Sequence, residues 1–169
     1  MQPSRDGLRC VSCGVRIEGP IVYRCPSCGG VVEVDVTLTR EQWDAVERQS
    51  VGDSLWRYRR RLPVGETKPI TLGEGATPLL VGPQDLAGES FGGTVLLKVE
   101  TGNPTGSFKD RLISVAVTRA VEDGFEAVVC ASTGNAGASA AAYAARARRP
   151  RVISVPHAAP LAKLRTHAA

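Results

Sequence analysis

Residues 102–111 of this chain read Gly-Asn-Pro-Thr-Gly-Ser-Phe-Lys-Asp-Arg. The Asn-Pro and Thr-Gly pairs are strong chain breakers, so this loop ends the preceding apolar strand, which is predicted over 94–99. Apolar residues then recur at helical spacing, and Ser107 is placed to cap a helix predicted over 108–122. Lys109 therefore lies in the first turn of that helix, where the helix dipole disfavours a cation. The position suits an amine that must lose its proton to attack a carbonyl, although an isolated first-turn lysine is more often simply solvated.

A second polar turn follows the next predicted strand, 126–131, and opens an alanine-rich helix predicted over 135–147. The turn consists of Ser132, Thr133, Gly134, Asn135, Ala136 and Gly137. Backbone N–H groups at a helix N-terminus, approached closely past glycine, form an anion site, and the two hydroxyls add donors. Small residues before a helix also serve tight helix–strand packing, so the turn alone is consistent with either role.

Strands and helices alternate from residue 94 to the end of the sequence, with a further strand predicted over 151–155 and a helix over 159–168. This alternation predicts an α/β fold with a mostly parallel sheet and right-handed βα crossovers. Ligands of such sheets bind beyond the carboxyl ends of the strands. Both polar motifs directly follow strands, so they lie where a site is expected.

Four of the five cysteines form two Cys-x-x-Cys pairs, Cys10 with Cys13 and Cys25 with Cys28. Each pair lies on a glycine-containing turn, and the segments 15–17 and 21–23 between the pairs alternate like two strands. Four thiolates complete a tetrahedral zinc site and leave no open position for catalysis. We therefore predict a structural zinc ribbon over residues 1–35, in preference to a redox dithiol.

Zinc ribbons also bind nucleic acid or protein partners, but the cysteine loops carry few basic residues, so nucleic acid is not an expected partner. The fifth cysteine, Cys130, ends an apolar strand and is predicted to be a buried, inert thiol. The histidines, His157 and His167, have no ligand-spaced companion and receive no role.

Residues 36–93 are predicted to hold a linker helix, an arm and an entry segment. A capping box at Thr39 predicts a short helix through Gln49. The arm, 54–63, mixes aromatics with arginines; it could bind an acidic surface or nucleic acid, but burial of its aromatics with solvated arginines is favoured. The Gly-Glu-Gly-containing segment 71–80 is predicted only to be a loop that leads into a strand.

The composition of the whole chain is that of a globular protein. Its hydrophobic fraction of 43% and charged fraction of 22% are ordinary, and its net charge of +4 is modest. No apolar run reaches the length of a membrane span, and the N-terminal residues lack the apolar core of a signal peptide. These features predict a cytoplasmic protein with no membrane partner.

The two motifs, ETGNPTGSFKDR at 100–111 and VVCASTGNAGAS at 128–139, resemble those of the threonine synthases, within the fold-type-II family of pyridoxal-phosphate enzymes. The similarity runs from about Leu72 to the end of the chain, and the N-terminal cysteines fit the ribbon-bearing members. The resemblance implies that Lys109 binds pyridoxal 5'-phosphate. It also implies that the loop 132–137 holds the substrate's α-carboxylate, and that Asn135 hydrogen-bonds the phenolic oxygen of the cofactor.

The reaction implied by the resemblance converts O-phospho-L-homoserine and water to L-threonine and phosphate, which makes the enzyme a carbon–oxygen lyase of threonine biosynthesis. Members of the family continue with a glycine-rich loop for the cofactor phosphate and a later hydroxyl at the pyridine nitrogen. No glycine follows Gly137 here. The resemblance therefore predicts a partial pyridoxal-phosphate domain over 94–169, incomplete at its C-terminus, in a truncated half of such an enzyme.

Such a half is expected to bind the cofactor weakly or not at all on its own. Its expected partners are a small amino-acid substrate and either a second copy of the chain or a complementing C-terminal half. Two alternatives stay open. Another fold-type-II enzyme, of the cysteate synthase or threonine deaminase type, would keep the cofactor and change the substrate. A non-enzymatic remnant with a zinc-ribbon binding module would gain no stability from pyridoxal phosphate.

Overall fold

The computed structural model describes residues 7–18, 22–35, 39–49, 54–83 and 92–157. The chain divides into two compact units, Met1–Gly52 with Trp56–Thr67 and Asp53–Leu55 with Lys68–Ala169. The helix predicted over 159–168 lies outside the described residues. None of the helices in the described ranges combines the length and the apolar character needed to cross a bilayer.

The first unit contains a three-stranded antiparallel sheet. Strand β1 (Leu8–Cys10) lies in the middle, between β2 (Arg16–Ile17) and β3 (Val32–Val34). Leu8 faces Ile17 on one side and Val34 on the other. The buried core is small and is formed by Leu8, Cys10, Ile17 and Cys25, with Val22 and Val32 packed against it. Such a small apolar core supplies little stability by itself.

Of the two strands predicted between the cysteine pairs, only the first forms among the described residues. It is β2, and it pairs with β1, which ends at Cys10. Val22 and Tyr23 lie outside any strand, and only Arg24 forms an isolated antiparallel bridge, with Val31. A run of two or three residues carries too little pattern to fix its partner, because register is set by which face is buried.

Helix α1 (Arg40–Gln49) follows Thr39, whose carbonyl accepts a hydrogen bond from the Trp43 N–H at 2.9 Å. The arm folds as a 3₁₀ helix, Leu55–Arg61, kinked at Tyr58. The Arg61 guanidinium stacks 3.2 Å from the centroid of the Trp43 ring and donates to the Trp43 carbonyl at 3.1 Å. The arginines of the arm are therefore not all solvated as predicted, since one of them covers an aromatic ring.

The second unit begins with an antiparallel pair of strands, β4 (Leu79–Val81) and β5 (Leu96–Lys98), in which Leu80 faces Leu97. The strand predicted over 94–99 thus forms, but it does not join the parallel sheet. Every residue of both strands is exposed.

The α/β part of this unit follows the predicted order. Helix α2 (Lys109–Glu122) leads to β6 (Val128–Ala131), helix α3 (Asn135–Arg146) and β7 (Arg151–Ser154). Strands β6 and β7 are parallel, and α3 is the crossover that joins them. The predicted bounds of these four elements are confirmed to within two residues.

Helices α2 and α3 pack against each other through small and polar side chains. Buried residues on α2 include Ser114, Val117 and Thr118, and those on α3 include Ser139, Ala140, Ala141, Tyr143 and Ala144. Alanine and serine allow a close approach of the two helices, but they bury little apolar surface. Hydrogen bonds between the buried polar groups therefore carry much of the specificity of this interface.

Candidate functional site

Lys109 is the first residue of α2, as the sequence predicts to within one residue. Ser107 does serve as an acceptor at the helix start: its hydroxyl oxygen accepts a hydrogen bond from the Lys109 N–H at 3.3 Å. Phe108, not Ser107, occupies the cap position, with helical φ and ψ of −61° and −11°. The half-buried Lys109 side chain places its Nζ 4.0 Å from the centroid of the Phe108 ring.

Asp110, the neighbour of Lys109, is fully buried and accepts three hydrogen bonds. Its Oδ2 accepts from the Thr105 N–H at 2.7 Å, and its Oδ1 accepts from the Thr105 hydroxyl at 2.6 Å. Oδ1 also accepts from the Ser139 hydroxyl at 2.7 Å. The carboxylate thus closes the lysine loop on itself and links the start of α2 to the first turns of α3.

Glu74 shows that segment 71–80 is more than a loop. Its fully buried carboxylate accepts hydrogen bonds from the Thr71 hydroxyl and the Leu72 N–H, both at 3.0 Å, and from the Tyr143 hydroxyl at 2.7 Å. It also accepts from the Ser114 hydroxyl. Burial raises the pKa of Glu74, but these hydrogen bonds lower it by more, so the side chain is held as a carboxylate. Burial and the neighbouring Glu74 both raise the pKa of Tyr143.

Sequence reasoning missed this role of Glu74. Tyr143 lies 69 residues further along the chain, so no local pattern predicts that the two side chains meet. The available signal was a glutamate between two glycines, a turn in which its carboxylate accepts from the nearby Leu72 N–H.

Asn103, in the lysine motif, holds the turn around Gly75. Its Oδ1 accepts a hydrogen bond from the Gly75 N–H at 3.1 Å, and its Nδ2 donates to the Glu100 carbonyl at 2.8 Å. Gly75 has a φ of +103°, and a Cβ there would lie 2.4 Å from the Leu55 N. The turn therefore needs glycine for its backbone conformation and for its close contact.

The ion pair between Arg111 and Glu100 contacts the chain just after Gly75, at Thr77. Arg111 donates from Nε to Glu100 Oε2 and from Nη2 to Oε1, each at 2.8 Å. The Thr77 hydroxyl also donates to Glu100 Oε1 at 2.8 Å. The Arg111 hydrogen bonds, with smaller contributions from Thr77 and Asn103, lower the pKa of Glu100 to about 2. Asp110 and Arg111 are thus structural partners of the helix start.

The second motif, 132–137, connects β6 to α3 as predicted. Gly134 is extended, with φ −133° and ψ −150°, and its N–H donates to the Ser132 hydroxyl at 3.2 Å. A Cβ built at Gly134 would have no heavy atom within 4 Å, so the space beside this backbone is open to a ligand. Asn135, exposed at the start of α3, and Ala136 carry first-turn N–H groups, which have no carbonyl partner within a helix.

These two motifs meet at the starts of two packed helices. The Ser139–Asp110 hydrogen bond joins them, and Ser139 lies one helical turn beyond Asn135, on the same face of α3. An amine, an exposed amide side chain and a glycine turn with open space suit the aldehyde and the phenolic oxygen of pyridoxal phosphate and an amino-acid carboxylate. The residues present therefore fit that cofactor.

The four paired cysteines also converge. The sulfurs of Cys10, Cys13, Cys25 and Cys28 all lie within 4.8 Å of one another. Cys10 Sγ is 3.5 Å from Cys28 Sγ, and Cys13 Sγ is 3.7 Å from Cys25 Sγ. A zinc ion with bonds of about 2.3 Å to four sulfurs sets neighbouring sulfurs about 3.8 Å apart. The cluster fits a tetrahedral ion.

The thiols of the cluster differ in acidity. The N–H of Cys13, 3.5 Å from the Cys10 sulfur, lowers the pKa of Cys10 to about 6. The N–H of Gly30 lowers the pKa of Cys28, but the neighbouring sulfurs of Cys10 and Cys13 raise it by more, to about 12. Cys28 therefore retains a proton that a bound cation would displace, whereas Cys10 gives up its proton more readily than an ordinary thiol.

Cys130, predicted to be buried, is only half-buried on β6. It lies with Val128 on the more covered face of the strand, and Val129 and Ala131 on the other face are exposed. His157 is exposed. His167 lies outside the described residues.

Comparison with known proteins identifies relatives of the chain. A family model described as "Pyridoxal-phosphate dependent enzyme" matches residues 70–169. The chain is 40% identical over 151 residues to the threonine synthase of Methanosarcina acetivorans, covering 88% of this chain and 36% of the relative. It is 50% identical over 121 residues to that of Mycobacterium leprae, covering 71% and 31%. The chain thus spans about a third of the length of these curated relatives.

A solved structure is also similar. A pyridoxal 5'-phosphate-dependent aspartate racemase matches 54% of this chain and 29% of its own, with a TM-score of 0.51 and 32% identity. The family model and the solved structure therefore point to the same cofactor.

Proposed function

Since the chain belongs to the family of pyridoxal-phosphate-dependent enzymes, we propose that it carries part of the active site of a threonine-synthase-like enzyme, with Lys109 as the lysine that binds the cofactor. The observation that carries this proposal is the joining of the two motifs. The Ser139–Asp110 hydrogen bond of 2.7 Å holds the start of α2, which bears Lys109, beside the start of α3, which bears the glycine turn.

The roles of the residues follow from their chemistry. Bound pyridoxal phosphate supplies an aldehyde carbon that takes up an amine and a pyridine ring that accepts electron density. Lys109 Nζ would hold the cofactor, and its amine, once free, would move protons between substrate carbons. Asn135 would hold the phenolic oxygen of the cofactor through its side-chain amide. The loop 132–137 would bind the substrate carboxylate through the first-turn N–H groups of Asn135 and Ala136 and the hydroxyls of Ser132 and Thr133. The N–H groups of Ser132, Gly134 and Gly137 already donate within the protein.

The proposed substrate is O-phospho-L-homoserine, which loses phosphate and gains water to give L-threonine. The threonine synthases at 40–50% identity support this choice of substrate and the lyase class. The similar racemase structure supports the cofactor and leaves the substrate open. Enzymes of the cysteate synthase and threonine deaminase types are therefore the competing proposals.

A structural zinc ion is the second part of the proposal. The sulfur separations of 3.5 and 3.7 Å support it, because they are close to those of a tetrahedral tetrathiolate. All four ligands would come from cysteine, so the ion would stabilise the small first unit and take no part in the reaction.

Cofactor binding by this chain is tested with pyridoxal phosphate and borohydride. We expect an absorption band of a lysine adduct that borohydride bleaches, weak but lost in Lys109→Ala. Lys98→Ala is the matched control, because Lys98 is another lysine of the second unit and its ammonium donates to a backbone carbonyl, that of Thr77. An adduct that survives in Lys109→Ala would contradict the proposal. A zinc-loaded chain that gains no stability from the cofactor and forms no adduct would favour the non-enzymatic remnant.

The substrate is tested after the chain is co-expressed with the part of the Mycobacterium leprae threonine synthase that this chain does not match. We expect phosphate release from O-phosphohomoserine. Phosphate release from O-phosphoserine alone would favour the cysteate synthase type, and ammonia release from threonine alone would favour the deaminase type.

A further inference from the structure

Asp110 carries the buried carboxylate of the lysine motif. The proposed reaction assigns no role to this carboxylate. It is fully buried, and none of the ion pairs among the described residues includes it. A buried charge without a cation is costly, so its three hydrogen bonds, at 2.6 to 2.7 Å, must offset the lost hydration. The hydrogen bonds of this carboxylate fix the positions of the groups that donate to it, Thr105 and Ser139.

The two hydrogen bonds from Thr105 act on the loop. They join residues 105 and 110 and so close a short ring of backbone that contains Lys109. Gly106, at φ +76°, lets the chain turn inside this ring. Because the Asp110 carboxylate holds Thr105 at the other end of the ring, the backbone at Lys109 is fixed. The direction in which the Lys109 side chain leaves that backbone is fixed with it.

The third hydrogen bond acts between helices. Ser139 is held at 2.7 Å from the same Oδ1 that accepts from the Thr105 hydroxyl. Because Ser139 lies on the same face of α3 as Asn135, this contact also sets how far the start of α3 lies from Lys109. One oxygen atom therefore couples the lysine loop to the glycine turn.

We propose that Asp110 is a positioning residue, whose carboxylate sets the distance between Lys109 and the loop 132–137 by holding Thr105 and Ser139 together. The proposal rests on the proposed function, in which those two groups bind one cofactor. Its chemistry is purely geometric: Asp110 touches neither cofactor nor substrate, and it acts by pre-organising the amine.

The test measures how selectively pyridoxal phosphate is trapped at Lys109. The 169-residue chain is incubated with the cofactor, reduced with borohydride and digested, and the modified fraction at Lys109 is compared with that at Lys98 in the same sample. Thr105→Val removes the hydroxyl donor at nearly constant volume, and Thr105→Ser restores it. We expect Thr105→Val to bind about tenfold more weakly at Lys109, because one hydrogen bond to a charged group is lost, and Thr105→Ser to behave like the parent chain.

Ser139→Ala tests the link between the helices, with Thr118→Val as its control. Thr118 is a fully buried hydroxyl on α2 that accepts from the Ile70 N–H at 2.9 Å and has no contact with Asp110. We expect a loss of about tenfold at Lys109 in Ser139→Ala and a change of less than about twofold in Thr118→Val, although both substitutions lower stability. All trapping is done at a temperature at which circular dichroism shows each variant to be folded.

Two failures are distinguishable. Unchanged trapping at Lys109 in both Thr105→Val and Ser139→Ala, or an equal loss in Thr118→Val, would overturn the positioning role and leave the proposed function standing. Trapping in the parent chain that is no greater at Lys109 than at Lys98 would overturn the proposed function, and the positioning role with it. If Ser139→Ala does not fold, the Thr105 pair decides by itself.

Discussion

Single residues fix the turn that faces the lysine motif. Gly75 combines a φ of +103° with a backbone contact that leaves no room for a Cβ, and Asn103 holds its N–H at 3.1 Å. Gly73, two residues earlier, has a φ of +92° but open space around it. An alanine at position 73 would meet backbone strain alone, whereas an alanine at position 75 would meet strain and a steric clash. Comparing the two substitutions therefore separates the two contributions to the free energy of unfolding.

We expect Gly75→Ala to lower the free energy of unfolding by about 3 kcal/mol or more, because strain and overpacking add. Gly73→Ala carries only the strain of a left-handed alanine and should cost about 1 kcal/mol. Urea unfolding followed by circular dichroism measures both variants. Equal losses in the two would show that the contact with Leu55 does not constrain the turn.

The Glu100–Arg111 pair makes stability depend on pH. Because the native pKa of Glu100 is lowered to about 2, its contribution is present above the unfolded value near 4.5 and is lost as the pH falls toward 2. We expect Glu100→Gln to cost about 1 to 2 kcal/mol at pH 7, allowing for solvent screening of this partly exposed pair, and much less near pH 2.

Urea unfolding of Glu100→Gln and the parent chain at both pH values measures this change. Glu126→Gln, on an exposed side chain, serves as the control and should alter unfolding little at either pH. A cost of Glu100→Gln that is the same at pH 7 and near pH 2 would refute the ion-pair contribution.

Elements are held together in the second unit by buried polar contacts more than by apolar area. Glu74 joins segment 71–80 to α2 through Ser114 and to α3 through Tyr143. Where the interface is lined by alanine and serine, such contacts decide how the helices pack. Removing one donor leaves the carboxylate short of a hydrogen bond in a place that water does not reach.

We expect Tyr143→Phe to lower the free energy of unfolding by about 1.5 to 3 kcal/mol, since a buried charged acceptor loses a donor. Tyr23→Phe is the control, because the Tyr23 side chain is 85% exposed and its hydroxyl can bond to water. Thermal unfolding followed by calorimetry compares the two. A loss no larger for Tyr143 than for Tyr23 would mean that the Glu74 contact contributes nothing to stability.

The first unit depends on its cysteines. The four paired cysteines form one cluster, so we expect one zinc ion per chain. Because the apolar core of this unit is small, we expect removal of the ion by a chelator to unfold β1, β2 and β3 while leaving α2 and α3 intact. Cys13→Ser should lower the zinc content, whereas Cys130→Ser, outside the cluster, should leave it unchanged. Metal analysis and far-ultraviolet circular dichroism measure both effects. A chelated chain with an unchanged first unit would contradict the structural role of the ion.

Local elements of the fold could be predicted from the sequence, and long-range partners could not. The alternation of apolar residues and the glycine and proline breaks place α2, α3, β6 and β7, because these signals are local. Strands β2 and β5 are only two or three residues long, too short for an alternation that would identify their partners, β1 and β4. The hydrogen bonds of Glu74 to Ser114 and Tyr143, and that of Asp110 to Ser139, join residues 29 to 69 positions apart, which no local pattern encodes.

The candidate site follows the same division. The residue types of the lysine motif and the glycine turn predict a site at the strand ends, because such turns precede helices in α/β folds. The coupling of the two motifs through Asp110 depends on how α2 and α3 pack, so it emerges only from the structure.

At the scale of the whole molecule, two apolar strands, β4 and β5, are exposed among the described residues. Leu79, Val81 and Leu96 on the β4–β5 pair are each more than half exposed. The chain also spans about a third of the length of the curated relatives it matches. An exposed apolar surface of this kind on the described residues is typical of a site that contacts other polypeptide.

The central claim is that Lys109 is the lysine that binds pyridoxal phosphate. The most direct measurement is peptide mass spectrometry of the chain after borohydride reduction with the cofactor. We expect the reduced cofactor on the peptide that contains Lys109, in clear excess over the peptides that contain Lys68 and Lys98. An even distribution over the three lysines, or a modified chain in which Lys109 is unmodified, would contradict the account.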